Sequence, residues 1–183
     1  MSTLRIEALE RRHRSLLKDF RNQAPSLVQY VQRFALRHIE KDLLARTYLA
    51  IDTQGGADRL AGYFSLSTVS VQRWSVDDIP ALSMLPRFPI PGVLLARLAV
   101  DERTQGQGLG RYLFEEALGL TLELATSGPV AFRLFVTDAL DENAVRFYER
   151  FGLARLSDPL PARMVLDIKP LLAGVGQTRI ADK

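Results

Sequence analysis

A nearly apolar run from Val93 to Val100 leads through Asp101-Glu102-Arg103-Thr104-Gln105-Gly106-Gln107-Gly108-Leu109-Gly110-Arg111 into a stretch rich in Leu, Ala and Glu that ends near Ala125. No other part of the chain restricts the fold so tightly. The apolar run predicts a strand buried on both faces, and Leu109 to Ala125 predicts a helix. Between them Gly106, Gly108 and Gly110 stand at alternate positions. Glycines so spaced let backbone N–H groups come close to a ligand, and the unpaired N–H groups and positive dipole end of a helix favour phosphate there. Arg111 adds a forked cation at the same place.

Two common phosphate-binding folds are excluded. No Gly-Lys-Ser or Gly-Lys-Thr follows the glycines, so the lysine and hydroxyl of a P-loop are missing, and the motif starts past residue 100 instead of opening a dinucleotide-binding half. A Gln followed by two residues, Gly, one residue and Gly, here Gln105, Gly108 and Gly110, resembles the acetyl-CoA signature of the GCN5-related N-acetyltransferases (GNAT). A second block, Asp138 to Leu153, resembles the family's other motif, with Asn143 near a helix start and Phe147-Tyr148-Glu149-Arg150-Phe151-Gly152-Leu153 matching Phe-Tyr-x-x-Phe-Gly-Phe except at the last residue.

The resemblance implies a fold and a site. The fold is α/β, a curved mixed sheet flanked by helices, whose two central parallel strands, Val93 to Val100 and Ala131 to Thr137, splay apart to admit the pantetheine. Gln105, Gly106, Gln107, Gly108, Leu109, Gly110 and Arg111 would hold the pyrophosphate of acetyl-CoA, Leu98, Ala99 and Val100 would meet it through their backbone, and Asn143 would reach it. Phe147 and Phe151, four apart, read first as a packing stripe, and Phe147 also stands among the implied cofactor contacts. Tyr148 is the implied catalytic residue. When an amine attacks a thioester a thiolate must leave, and a positioned phenol can donate a hydrogen bond or a proton to it.

Composition narrows the chemistry. The chain has no cysteine, which removes disulfides, thiolate metal sites and a cysteine acyl-enzyme, and its two histidines, His13 and His38, cannot build a multi-histidine centre. Direct transfer without metal is expected. With 183 residues the chain is expected to be a single domain over residues 1–168 with a loose tail at 169–183. The charged N-terminus lacks the apolar core of a signal peptide, and no stretch approaches the roughly 18 apolar residues of a membrane span, so a cytoplasmic, non-membrane protein is expected. The first fifty residues hold ten Lys or Arg against five acids, a net +5 where the whole chain carries +3. That excess fits solvated helix faces or a polyanionic partner, either CoA's phosphates or an RNA backbone.

Along the chain, Leu4 to Phe20 reads as helix or part helix, Asn22 to Pro25 as a break, and Leu27, Val31, Phe34, Ala35 and Ile39 recur at helical spacing. Thr47 to Asp52 and Leu60 to Val71 form a predicted hairpin, and four prolines between Asp77 and Gly92 predict a stiff loop. After the glycine turn and its helix come a strand over Ala131 to Thr137, a helix over Glu142 to Phe151 and a closing strand over Arg163 to Ile168.

The resemblance also bears on the acceptor. Leu95-Ala96-Arg97-Leu98-Ala99-Val100-Asp101, Gln105 to Gly110 and Ala139-Leu140-Asp141-Glu142 resemble the acetyltransferase toxins of bacterial toxin-antitoxin modules, over about Pro89 to Ile168. The resemblance implies acetylation of the α-amino group of aminoacyl-tRNA and a ribbon-helix-helix antitoxin as partner, and it leaves a homodimer open. An α-amino group has a pKa of about 7.7 to 8.0, against about 10.4 for lysine, so it needs little base catalysis. That suits a sequence in which Asp101 and Glu102 read as loop caps and Asp138, Asp141 and Glu142 as helix-start residues. A small amine or a protein amino group remains the alternative acceptor, and a non-catalytic acyl-CoA-binding module a third reading.

Overall fold

Leu4, Ile6 and Ala8 alternate with Arg5 and Glu7, and in the computed structural model, which describes residues 4–54 and 56–173, Leu4–Ala8 is a strand, β1, where the sequence predicts helix. The helical character begins later, at Arg11–His13 and Arg14–Leu17. β1 pairs antiparallel with β2 (Arg46–Asp52), Ile6 facing Ala50, and β2 forms the expected antiparallel hairpin with β3 (Arg59–Val71). β4 spans Ile90–Val100, β5 Leu134–Ala139, β6 Ala154–Arg155 and β7 Ala162–Asp167. The seven strands form one sheet of a mixed α/β fold, in the order β1-β2-β3-β4-β5-β7-β6. The short β6 escapes a reading of the sequence; two residues carry too little pattern.

The chain packs as two compact units, one from residues up to Ser67 together with Leu95–Ala117, the other from Thr68–Leu94 together with residues from Leu118 onwards. In the first, Leu49, Ile51, Leu60, Tyr63 and Ala99 of the strands pack with Leu17, Val31 and Ala35 of the N-terminal helical segments and with Phe20 of the connection between them. The helical stretch after the break is Pro25–Gln29, a π turn at Tyr30–Phe34 and Ala35–Glu40. The π turn adds a residue to the repeat, so Tyr30 and Val31 are both buried while Phe34, predicted on the core face, is 39% exposed.

Gly62 of β3 shows how closely this unit is packed. A Cβ there would lie 2.9 Å from the Ala99 carbonyl and 2.8 Å from Leu113 Cδ1. Since the nearest obstacles include backbone, a side chain can enter only if β4 or the Leu109–Ser127 helix moves. Gly62→Ala is therefore expected to lower unfolding free energy by about 1–3 kcal/mol, read by urea denaturation. Unchanged stability would mean that the strand and helix yield freely at this point.

In the second unit Val71, Val76, Leu82, Ile90, Leu134, Val136 and Val165 form the core. The proline-rich connection is not all loop, because Pro80–Ser83 makes one helical turn. The buried Arg73 holds it, donating to the carbonyls of Leu85 and Ser83 and pairing with Asp77. β4 starts beside β5: the Arg133 N–H donates to the Pro91 carbonyl at 2.9 Å, and a Cβ on Gly92 would sit 2.7 Å from the Leu134 carbonyl. The expected tail is helical over residues 169–173, where the Leu172 N–H bonds the Ile168 carbonyl at 3.1 Å. Its remainder lies outside the described residues. Among the described residues no helix is long and apolar enough to cross a membrane.

Candidate functional site

The residues singled out in the sequence fall into two groups, one in each unit. The first is the glycine turn. β4 ends at Val100, residues Glu102–Thr104 make a 3-10 turn, and the helix Leu109–Ser127 begins after an exposed segment, Gln105 to Gly108. Gly106 and Gly108 have φ of +78° and +81°, and a Cβ on either would meet nothing within 4 Å. Backbone conformation, not crowding, thus demands glycine there, and the space in front of the backbone is open. The Gly108 carbonyl accepts the Tyr112 N–H at 3.1 Å, which makes Gly108 the start of the helical ladder. The N–H groups of the first turn have no partner within the helix, so they and the dipole face an anion entering that space. A cleft lined by Thr104, Gln107, Gly108, Leu109 and Tyr112 adjoins it.

A buried network fixes the turn. Asp101 is wholly buried; its carboxylate accepts from the Arg21 and Arg103 backbone N–H groups at 2.9 and 3.0 Å and from the Arg103 guanidinium at 2.7 and 2.8 Å. Arg103 also donates to Asp19, Thr104 Oγ1 donates to the Ala61 carbonyl, and Asn22 Nδ2 donates to the Val100 carbonyl at 2.9 Å. The segment Asp19 to Asn22 is thereby stitched to the turn. Asp101 is a cap, as the sequence predicts, but no local pattern announces its partners in the N-terminal segment or the role of Asn22.

Burial pushes the Asp101 carboxyl up, yet the Arg103 guanidinium and the two backbone N–H groups outweigh it and hold the group below the usual carboxylate range. A depressed pKa means that this stabilisation is complete above the unfolded value of about 3.9 and is lost as pH falls through the folded one. Asp101→Asn is expected to cost about 1.5–3 kcal/mol at pH 7 and to flatten the acid limb of stability, measured by denaturation at several pH values. An unchanged acid limb would contradict the network.

Not all predicted turn residues point outward to a ligand. Gln105 Nε2 donates back to the Val100 carbonyl at 3.3 Å, and Arg111 Nε pairs with Glu115 at 2.7 Å along the helix. Leu98, Ala99 and Val100 lie at the end of β4, with the Val100 carbonyl taken by Asn22 and Gln105.

The second group lies on the helix Glu142–Glu149, capped by Asp141, whose carboxylate accepts the Ala144 N–H at 2.8 Å. The helix closes at Gly152, φ +83°, and the Phe-Gly pair of the motif is its C-terminal stop. Asn143 is exposed and accepts from Arg146 at 2.5 Å. Phe147 is half-buried, with the Tyr148 and Phe151 rings each 5.1 Å away. Tyr148 is only 8% exposed; burial pushes its phenol up, and the Thr137 side chain, hydrogen-bonded with it, opposes the rise. At neutral pH it carries its proton, so it can donate one. The other carboxylates near this helix start are engaged: Asp138 is gripped by Arg163 at 2.7 and 2.8 Å, and Glu142 by Arg155 at 3.2 Å.

The chain is similar to a tRNA-acetylating toxin of Mycobacterium tuberculosis, 32% identical over 143 residues, covering 74% of this chain and 83% of the relative. Its fold is similar to that of a tyrosine-to-phenylalanine mutant of KacT, with a TM-score of 0.82 at 22% identity over 97% of this chain and 99% of the other. It is similar also to AtaT complexed with acetyl-methionyl-tRNAfMet, with a TM-score of 0.81 at 23% identity over 94% and 99%. Both likenesses reach the N-terminal half, beyond the motifs read in the sequence. A sequence profile described as the acetyltransferase (GNAT) domain matches residues 44–152, and the chain belongs to that family of acetyltransferases.

Proposed function

We propose that the chain transfers an acetyl group from acetyl-CoA to the α-amino group of aminoacyl-tRNA. The observation that carries the donor is the open glycine turn at the head of a 19-residue helix, where Gly106 and Gly108 adopt a backbone that only glycine takes readily. Its residues fit a diphosphate: the backbone N–H groups of Gly108, Leu109, Gly110 and Arg111 are the donors, and at Gly106 and Gly108 no Cβ stands between backbone and ligand. Leu98 and Ala99 offer backbone edge groups to the pantetheine, and Asn143 and Phe147 are assigned as further contacts. Acetyl-CoA, when bound, supplies an activated acetyl group and a good leaving sulfur.

The chain's own task is to deliver a proton and a neutral amine. Tyr148 holds a proton on Oη, since burial disfavours its phenolate, and it is the group assigned to protonate the departing sulfur. No carboxylate needs to serve as base for an α-amino group, a useful fraction of which is already neutral near pH 7. Support for the acceptor comes from the relative named a tRNA-acetylating toxin and from AtaT, solved with acetyl-methionyl-tRNAfMet. The net +5 of the first fifty residues suits a polyanion. AtaT has also been solved with the C-terminus of the antitoxin AtaR, and KacT as a KacTA–DNA complex, which supports an antitoxin partner for this chain. Its ribbon-helix-helix type is carried over from the motif resemblance alone, and the cytoplasm is assigned because charged tRNA is found there.

The test is to incubate purified chain with labelled acetyl-CoA, a charged tRNA pool and competing small amines. Label in the RNA fraction is expected, with transfer weakening steeply as salt rises. Label in the amines alone would reject the acceptor and leave the donor standing.

A further inference from the structure

Arg97 is the one charged residue of β4, on a strand whose other residues are apolar or glycine and proline. It is exposed, and its guanidinium lies 5.1 Å from the centre of the Tyr30 ring while one N–H donates to the Ala96 carbonyl at 2.5 Å. Among the described residues it has no carboxylate partner, unlike Arg103, Arg111, Arg133, Arg155 and Arg163, each of which is paired. An arginine kept off carboxylates and braced on an aromatic face retains its fork for an incoming anion.

The brace is built by the π turn. Tyr30 opens that turn, stacks on Tyr63 with ring centres 6.1 Å apart and is met edge-on by His38 at 5.5 Å. Phe34, which the π turn brings partly to the surface, lies 6.2 Å from the same His38. Tyr30 itself is buried under the guanidinium, and the face open to a base is that of Phe34, 39% exposed, next to the half-buried His38. A forked cation with an exposed aromatic ring nearby is the chemistry that recognises a nucleotide, its phosphate on the fork and its base on the ring. The position along β4 also fits. Strands rise about 3.3 Å per residue, so Arg97 stands about 7 Å before Ala99, one nucleotide's reach from the backbone assigned above to the acetyl-bearing arm.

We propose that Arg97, braced on Tyr30 and flanked by Phe34 and His38, binds the phosphate of the 3′-terminal nucleotide of the aminoacyl-tRNA acceptor and so places its α-amino group. This role rests on aminoacyl-tRNA being the acceptor, as proposed above. It adds a residue to that reading: Arg97 positions the acceptor and leaves the donor to the glycine turn.

The experiment compares wild type, Arg97→Gln and Arg97→Lys by steady-state kinetics on charged tRNA at several salt concentrations, on an aminoacyl-adenosine that lacks the phosphate, and by calorimetry with acetyl-CoA. Arg97→Gln is expected to raise KM for charged tRNA about tenfold or more. It should lower the salt slope of log KM by about 0.7 and leave kcat, acetyl-CoA affinity and aminoacyl-adenosine turnover unchanged. Arg97→Lys should recover part of the loss. An unchanged KM, an equal loss on aminoacyl-adenosine, or weaker acetyl-CoA binding would overturn the proposal while wild-type acetylation of tRNA still stands. Wild type that acetylates only small amines would overturn both.

Discussion

Tyr148→Phe is expected to lower acetyl transfer about 10²–10⁴-fold, the usual range for a lost general acid, while acetyl-CoA still binds with near-native affinity. The change deletes one oxygen and keeps the ring, so its contacts with Phe147 and the helix Glu142–Glu149 persist. What disappears is a phenol that burial keeps protonated, and with it the hydrogen bond shared with Thr137. Loss of that bond should cost about 0.5–1.5 kcal/mol of stability, too little to unfold a domain of this size. Kinetics and calorimetry on the same preparation separate the two effects. Transfer at the wild-type rate would show that another group, or water, protonates the sulfur. Because the folded phenol is pushed above its ordinary value of about 10, activity should not fall between about pH 7 and 9 through loss of this proton.

Gly108→Asp should abolish measurable acetyl-CoA binding and leave the domain folded. Two causes act together. At φ +81° an L side chain is strained by about 1–2 kcal/mol, a fall in Tm of about 2–8 °C for a chain of this length. The carboxylate then occupies the open space where phosphate should lie, and losing two charge-assisted bonds of about 1.5–3 kcal/mol each lowers affinity about 100-fold or more. Gly108→Ala carries the strain without the charge. Its affinity should lie between the other two, and calorimetry of all three proteins gives the order. Equal affinity in wild type and Gly108→Asp would mean that the turn does not hold the donor.

Much of this is legible in the sequence because its signals are local. Three alternate glycines between an apolar strand and a helix define the turn within a dozen residues, and the β2–β3 hairpin is announced by its own alternation. The rest depends on partners far along the chain. β1 reads as helix because Leu4–Ala8 is only five residues long and adjoins a helical stretch; its strand character comes from pairing with β2, about forty residues later. Asn22 meets Val100, and Arg21 meets Asp101, across 78 and 80 residues, so no spacing rule points to them. Phe34 fits a 3.6-residue repeat that the π turn breaks, and Arg97 reads as an intruder in an apolar strand until Tyr30 is seen beneath it. The burial of Tyr148 and its bond with Thr137 are likewise tertiary, although the motif marks the residue.

Whether the glycine turn and Tyr148 serve acetyl transfer to an amino acid already esterified to tRNA is decided by weighing the product. Charged tRNA treated with the chain and acetyl-CoA can be digested to nucleosides and its terminal aminoacyl-adenosine examined by mass spectrometry. The mass of one added acetyl group is predicted, on the amino acid's nitrogen, absent with Tyr148→Phe and with Gly108→Asp. Aminoacyl-adenosine of unchanged mass, under conditions where the chain consumes acetyl-CoA, would contradict that assignment.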